Sequence, residues 1–159
     1  MYRIGYSEDI HQLVSGRKLM IGGVHIPYEL GEKAHSDGDV LLHAIAESIL
    51  GALALGDLGK HFPDTSDETL NMDSKKILDL VHHLALEKGY VVSNLDTMII
   101  LEKPKLASYI ESIRCQIAKI LGIEISQVSV KAGTNEKMGE IGEGKAIKAI
   151  SIVLLKKKD

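Results

Sequence analysis

Apolar residues recur along this chain with two different periods, and the switches between them mark out its elements. Val40, Leu41, Ala44, Ile45, Ile49 and Leu50 follow helical spacing, which predicts a first long helix from Asp39, with Ser36 or Asp37 as N-cap and Gly56 as stop. A second helix is predicted over residues 74–88, where Ile77, Leu80, Val81 and Leu84 share a face between the caps Asp73 or Ser74 and Gly89. A third covers residues 106–121 and ends at Gly122. Residues 2–6 read as a strand, and residues 18–26 as a hairpin arm turning at Gly22-Gly23 and closed by Pro27, with a polar loop carrying Asp9 and His11 between them. The stretches 90–101, 128–132 and 146–155 predict three more strands. Residues 133–144 form a glycine-rich segment too long for a tight hairpin, with the composition of a functional loop. This order predicts an α+β fold in which helices pack on one face of a mixed β-sheet, in a single domain spanning residues 1–159.

Composition narrows the function classes. With 45% hydrophobic and 26% charged residues, the 159-residue chain has the make-up of one globular core rather than of a disordered or coiled-coil segment. A net charge of -3, with scattered cations apart from Lys156-Lys157-Lys158, offers no basic face for nucleic acid. Phe62 is the sole phenylalanine and tryptophan is absent, which removes base-stacking platforms as well. The apolar run over residues 40–58 is broken by His43, Glu47 and Asp57, so it reads as a core helix and not a membrane span. Cys115 has no disulfide partner and lies in a helical pattern, which reads as a buried structural thiol suited to a reducing compartment. The N-terminus enters a strand pattern directly, and the expected location is cytoplasmic.

The polar residues fall into a few constellations. In Asp9-Ile10-His11 an oxygen and a nitrogen ligand share one side of an extended segment, because side chains at i and i+2 face the same way. His43 lies one turn after Asp39, which would hold one ring nitrogen while the other faces a metal; two histidines, a carboxylate and an open fourth position describe a catalytic zinc site. On spacing alone, a turn aspartate and a satisfied core histidine account for these residues somewhat better, since D-x-H is short and common. His35-Ser36-Asp37-Gly38-Asp39 enters the helix where free amides and the dipole favour a phosphate, or where Ser36 or Asp37 simply caps it. The loop over residues 56–65 has glycine pivots and two carboxylates that would cover a polyol, or it is a plain connection. Glu136 is a plausible ligand for Mg²⁺ or Mn²⁺, though an exposed loop glutamate is the simpler account. Residues 139–145 match the spacing of a P-loop, but Ala146 replaces its Ser/Thr, Glu140 and Glu143 would repel phosphate, and a strand follows where a helix is required. His82 and His83 point about 100° apart on a helix and read as a solvated face.

Taken in order, Asp9-Ile10-His11, Ile21-Gly22-Gly23-Val24 with Ile26-Pro27-Tyr28, His35-Ser36-Asp37-Gly38-Asp39-Val40 with Leu42-His43-Ala44, and Gly56-Asp57-Leu58-Gly59 with Phe62-Pro63-Asp64-Thr65 span the first half of the chain; Pro104-Lys105 and Lys131-Ala132 with Glu136-Lys137 follow. With these the chain resembles the 2-C-methyl-D-erythritol 2,4-cyclodiphosphate synthase family of the non-mevalonate isoprenoid pathway. The resemblance implies a homotrimer with active sites between neighbouring subunits. It implies Zn²⁺, or another divalent transition metal, on Asp9, His11 and His43, and Mg²⁺ or Mn²⁺ near Glu136 shared with the diphosphate of a small nucleotide substrate. That substrate would be 4-diphosphocytidyl-2-C-methyl-D-erythritol 2-phosphate, cyclised with release of CMP. By the same resemblance His35, Asp39, Thr134 and Glu136 are catalytic positions. Asp9, His11, His35, Ser36, Asp57, Gly59, Phe62 and Asp64 would contact the phosphates and methylerythritol, and Pro104, Lys105, Leu106, Gly133 and Thr134 the cytidine and α-phosphate. The last loop departs from the family pattern, with Glu140 and Glu143 where an aromatic residue and an arginine are common. Two rivals use the same residues: a zinc phosphohydrolase with water as nucleophile, and a trimer that binds nucleotide without turnover.

Overall fold

A computed structural model describes residues 1–63 and 71–158. Strand β1 (Tyr2–Ser15) is far longer than the predicted strand and absorbs the expected polar loop, so Asp9 and His11 lie on a strand. From Gly5 to Leu13 its odd positions point to the helical layer: Gly5, Ser7 and Leu13 are buried and Asp9 and His11 half-buried, while the even positions between them are exposed. The hairpin is formed by β2 (Leu19–Ile21) and β3 (Val24–Ile26), turning at Gly22 and Gly23 with φ of 60° and 76°. A short strand not foreseen, β4 (Leu30–Glu32), pairs antiparallel with the end of β1, Leu13 opposite Glu32.

Helix α1 (Val40–Ala52) is capped by Asp39, not by Ser36 or Asp37; the Asp39 carboxylate accepts from the Leu42 amide at 3.0 Å. It ends at Leu53 rather than Gly56, since Ala54 takes the left-handed position at φ 57°. The predicted loop beyond it contains a short helix, α2 (Leu58–His61), capped by Asp57. Helix α3 (Ser74–Glu87), capped by Asp73, and β5 (Tyr90–Ile100) follow the predicted bounds closely. Helix α4 (Ile110–Leu121) starts four residues later than the spacing suggested and closes on left-handed Gly122. A 3-10 turn (Ile125–Gln127) leads into β6 (Val128–Gly133). The P-loop-like segment holds only a four-residue helix, α5 (Gly139–Gly142), before β7 (Ala146–Lys157), so its spacing is coincidental as expected.

The sheet order is β4-β1-β7-β5-β6, antiparallel except for β5 beside β6, which makes it the mixed sheet of an α+β fold. Helix α1 lies on β1 and β7 with Val40, Leu41, Ile45 and Ile49 fully buried. It sits so close that a Cβ on Gly5 would stand 1.8 Å from the Ser48 carbonyl oxygen. Between Val40 and Leu50 only His43 and Glu47 are not buried, so the polar residues that interrupt this apolar helix form one line on its surface. The opposite sheet face carries exposed Tyr2, Ile4, Tyr6, Ile10 and Ile152. Among the described residues no helix is long and apolar enough to cross a membrane.

Two sequence expectations are corrected. Cys115 is exposed, because it falls on the solvent side of α4 whose buried positions are Ile113, Ile117, Ala118 and Leu121. His82 is buried against the core while His83 is exposed, so only half of that pair lies on a solvated face; burial, aided by His83, lowers the His82 pKa.

Candidate metal centre and substrate cavity

Two elements bring Asp9, His11 and His43 together. The pleat of β1 carries the first two, and α1 delivers the third, so that one ligand atom from each lies within 4.8 Å of the others. His11 Nε2 is 3.0 Å and His43 Nδ1 3.4 Å from Asp9 Oδ2. The far side of each ring fixes its tautomer. His11 Nδ1 is 2.7 Å from the Gly38 carbonyl, which only accepts, so Nδ1 carries the proton and Nε2 is turned to the centre. The same Nδ1 lies 2.8 Å from Glu32 Oε2. His43 Nε2 is 2.9 Å from Ser74 Oγ, whose own hydroxyl proton goes to Asp37 in a short contact, so Ser74 accepts and His43 Nδ1 is left with its lone pair. Ser36 Oγ adds a second contact to His43 Nε2 at 3.2 Å.

This corrects the role expected of Asp39. It is fully buried and reaches no histidine; its two oxygens accept from the amides of Gly22 (2.9 Å), Gly23 (2.6 Å) and Leu42. Asp39 therefore ties the hairpin to the start of α1, while Ser74 and Asp37 hold His43. Burial raises its pKa against these three donors.

Without a metal the centre is a charge cluster. Burial opposes ionisation of Asp9, but the His11 and His43 rings hold its carboxyl well below the usual range. Burial likewise works against a charged His11, and the hydrogen bonds to Asp9 and Glu32 override it and push its pKa up to about 10. For Glu32, burial pushes the carboxyl up and His11 opposes. Glu47, one turn beyond His43, is raised by burial and by the charges of Asp9 and Asp57. Two imidazole nitrogens and a carboxylate oxygen that converge, each oriented from behind, suit a divalent transition metal with a position left open.

A cavity of about 440 Å³ opens beside this cluster. His35, Ser36, Gly59 and Phe62 line it, joined by Lys33, Glu47 and Leu58, which sequence reasoning had not picked out as site residues. Asp57 is not among its lining residues, because its carboxylate caps α2 through the Lys60 amide at 3.0 Å. Asp64 and Thr65 lie outside the described residues. The start of α1 is not the open anion site the sequence suggested: the Val40 amide donates to Glu32 and the Leu42 amide to Asp39. The loop ahead of it is braced instead by Arg17, whose guanidinium donates to the Ser36 carbonyl at 2.6 Å.

A second cavity, about 280 Å³, gathers Pro104, Lys105, Leu106, Gly133 and Thr134. It shares no lining residue with the first. The late start of α4 has its reason here, since the chain before it lines this cavity. Glu136 follows on an exposed turn at φ 50° and joins no metal-capable cluster among the described residues. Its turn is held by Glu102, a residue missed in the sequence, which accepts from the Asn135 and Lys137 amides at 2.9 and 3.2 Å. Glu140 and Glu143 both lie against Lys145.

The profile of the YgbB family matches residues 2–156 of the chain. A 2-C-methyl-D-erythritol 2,4-cyclodiphosphate synthase of Bacillus licheniformis is 55% identical over 157 residues, covering 99% of both chains. One of Geobacter metallireducens is 52% identical, covering 98% of this chain and 99% of its own. Among solved structures, the bifunctional IspDF of Campylobacter jejuni superposes with a TM-score of 0.96 at 36% identity; this whole chain covers 43% of that longer one. The IspF of Plasmodium falciparum, solved as a CDP complex, gives a TM-score of 0.88 at 37% identity, with 99% of this chain and 97% of that one covered.

Proposed function

The chain belongs to the YgbB family and is a cyclodiphosphate synthase of isoprenoid biosynthesis, forming 2-C-methyl-D-erythritol 2,4-cyclodiphosphate, and we propose that a divalent metal on Asp9, His11 and His43 assists the reaction. The substrate is 4-diphosphocytidyl-2-C-methyl-D-erythritol 2-phosphate. An oxygen of its 2-phosphate forms a bond to the β-phosphorus, the bond from that phosphorus to the oxygen bridging the α-phosphate breaks, and CMP departs with the electron pair. No protein nucleophile takes part, which makes the enzyme a phosphorus-oxygen lyase.

The observation that carries the metal reading is the convergence of three oriented ligand atoms from residues that line a cavity. Zn²⁺ or another divalent transition metal bound there, with Mg²⁺ or Mn²⁺ near Glu136, supplies the positive charge that lets one anionic phosphate approach another. The chain's own groups position the reactants. His35 and the backbone at Ser36 hold a phosphate, and Gly59 and Phe62 cover the methylerythritol; Asp64, with the Asp57 carboxylate oxygen that the α2 cap leaves over, would accept from its hydroxyls. Pro104, Lys105, Leu106 and Gly133 take the cytidine, with Thr134 and Glu136 on the diphosphate side; the CDP bound by the Plasmodium falciparum relative supports a nucleotide site.

The cytidine and metal cavities are separate within one chain, and the exposed apolar sheet face asks for cover. Both support a homotrimer, built from domains of residues 1–159, in which neighbouring subunits complete each site; the reducing compartment suited to the single cysteine is the cytoplasm. Sedimentation equilibrium is expected to give three times the 17.3 kDa chain mass, and a monomer mass would overturn the shared site. ³¹P NMR of the protein with substrate, Mg²⁺ and Zn²⁺ is expected to show cyclic diphosphate and CMP appearing together, and to stop on chelation. Turnover that persists in metal-free protein would remove the metal from the reaction, and linear phosphate products would favour the hydrolase.

A further inference from the structure

Glu32 is a charged residue in a place where charge is hard to keep. It is fully buried at the end of β4, and one of its oxygens, Oε1, has no hydrogen-bond partner among the described residues. A buried carboxylate left half-satisfied is expensive, and an apolar side chain of similar size would serve the core better. The other oxygen shows what it is spent on. Oε2 accepts from the Val40 amide at 3.0 Å and lies 2.8 Å from Nδ1 of His11, the ring whose Nε2 faces Asp9. The backbone leaves no freedom here: Gly31 runs so close to Arg17 and Lys18 that a Cβ would come within 2.4 Å of both carbonyl oxygens, and Leu13 pairs with Glu32 across the strands.

We propose that Glu32 is a positioning residue for the metal centre, a carboxylate behind His11 that locks its ring and strengthens Nε2 as a ligand. It rests on the metal reading above and adds to it a residue that contacts neither metal nor substrate. Two consequences follow from the geometry. The Gly38 carbonyl alone would set the tautomer, so the share of Glu32 is charge: it shifts electron density through the imidazole toward the ligating nitrogen. With Asp9 it also brings two negative charges to a site suited to a dication, so the assembled centre is neutral when both histidines are neutral.

Glu32→Gln keeps the shape and removes the charge, while Glu32→Leu removes the polar group altogether. Zinc dissociation constants, measured on the whole protein by competition with a chromophoric chelator, are expected to rise by about 10–100-fold in both variants. The Tm of metal-free Glu32→Gln, which keeps an acceptor for the Val40 amide, is expected to be unchanged, which separates the effect from a merely structural one. The visible spectrum of Co²⁺ bound at the centre is expected to shift in Glu32→Gln, reporting the altered imidazole donor. Wild-type affinity in both variants with an unchanged Co²⁺ spectrum would overturn the proposal, as would a loss of affinity that only tracks a fall in metal-free Tm. A wild-type protein that itself fails to bind zinc would instead overturn the metal centre on which it rests.

Discussion

His11→Ala is expected to leave the protein without its transition metal and to lower cyclodiphosphate formation by about 10³-fold or more. The estimate follows from the charge problem: several kcal/mol of Lewis-acid stabilisation is lost with the ion, and each factor of ten is about 1.4 kcal/mol. The loss is larger than one ligand in three suggests, because His11 is the hub of the cluster. Its Nε2 meets Asp9 and its Nδ1 meets Glu32 and the Gly38 carbonyl, so alanine leaves the buried Glu32 carboxylate beside a hole with no cation opposite. An uncompensated buried charge costs about 3–5 kcal/mol, so the variant is also expected to melt earlier than the metal-free wild type. Asp9→Ala, at the exposed side of the same cluster, should lose metal and turnover with less effect on stability. Metal content by mass spectrometry and CMP release measured on the same samples check this, and a variant that retains both would defeat it.

How far the sequence disclosed this site depends on the range of the contacts that build it. Local periodicity raised Asp9 and His11 as candidates through i, i+2 spacing and His43 through its place one turn after Asp39, but spacing alone favoured the bland account, and only the order of motifs along the chain singled them out. Glu32, Ser74 and Asp37 were not read as the groups behind the two rings. Glu32 stands next to Lys33 and close to Glu29 in a stretch that looks solvated, and it is buried by non-local contacts, its pairing with β1 and the loop from Gly38 to Val40. Ser74 and Asp37 lie 37 positions apart and meet through the packing of α3 beside the loop before α1. The long β1 was misjudged for a related reason: the polar residues along it that suggested a loop alternate between the metal centre and the opposite sheet face. In the fold as a whole, elements with a clean apolar period, α3, β5 and the hairpin, were predicted closely. The start of α4 and the end of α1 shifted where the chain serves a cavity or a turn instead of a helix.

Asp39 puts the difference between local pattern and assembled structure to the test. One turn ahead of His43, it looks like a residue that orients the ring, and as a catalytic group its removal would abolish turnover at unchanged stability. Its observed contacts predict the opposite order of effects. Three backbone amides from two separate elements end on one fully buried carboxylate, so Asp39→Ala leaves all three without their acceptor, those of Gly22 and Leu42 fully buried and that of Gly23 partly so. Each orphaned donor costs about 1–3 kcal/mol, offset in part by no longer burying a carboxylate, which leaves a net loss on the order of 3–6 kcal/mol. Against a total stability of about 5–15 kcal/mol for a protein of this kind, that is a large fraction. The urea midpoint is therefore expected to fall steeply. Asp39→Asn, which keeps one carbonyl oxygen for the Gly22 and Leu42 amides but turns an NH₂ toward Gly23, should fall between the two. Because the His43 amide donates to the Asp39 carbonyl oxygen at 3.1 Å, the ring itself stays on its helical turn wherever α1 remains folded. Folded Asp39→Ala protein, assayed at low temperature with excess metal, is then expected to keep measurable turnover. A variant of wild-type midpoint that is catalytically dead would return Asp39 to the reaction itself.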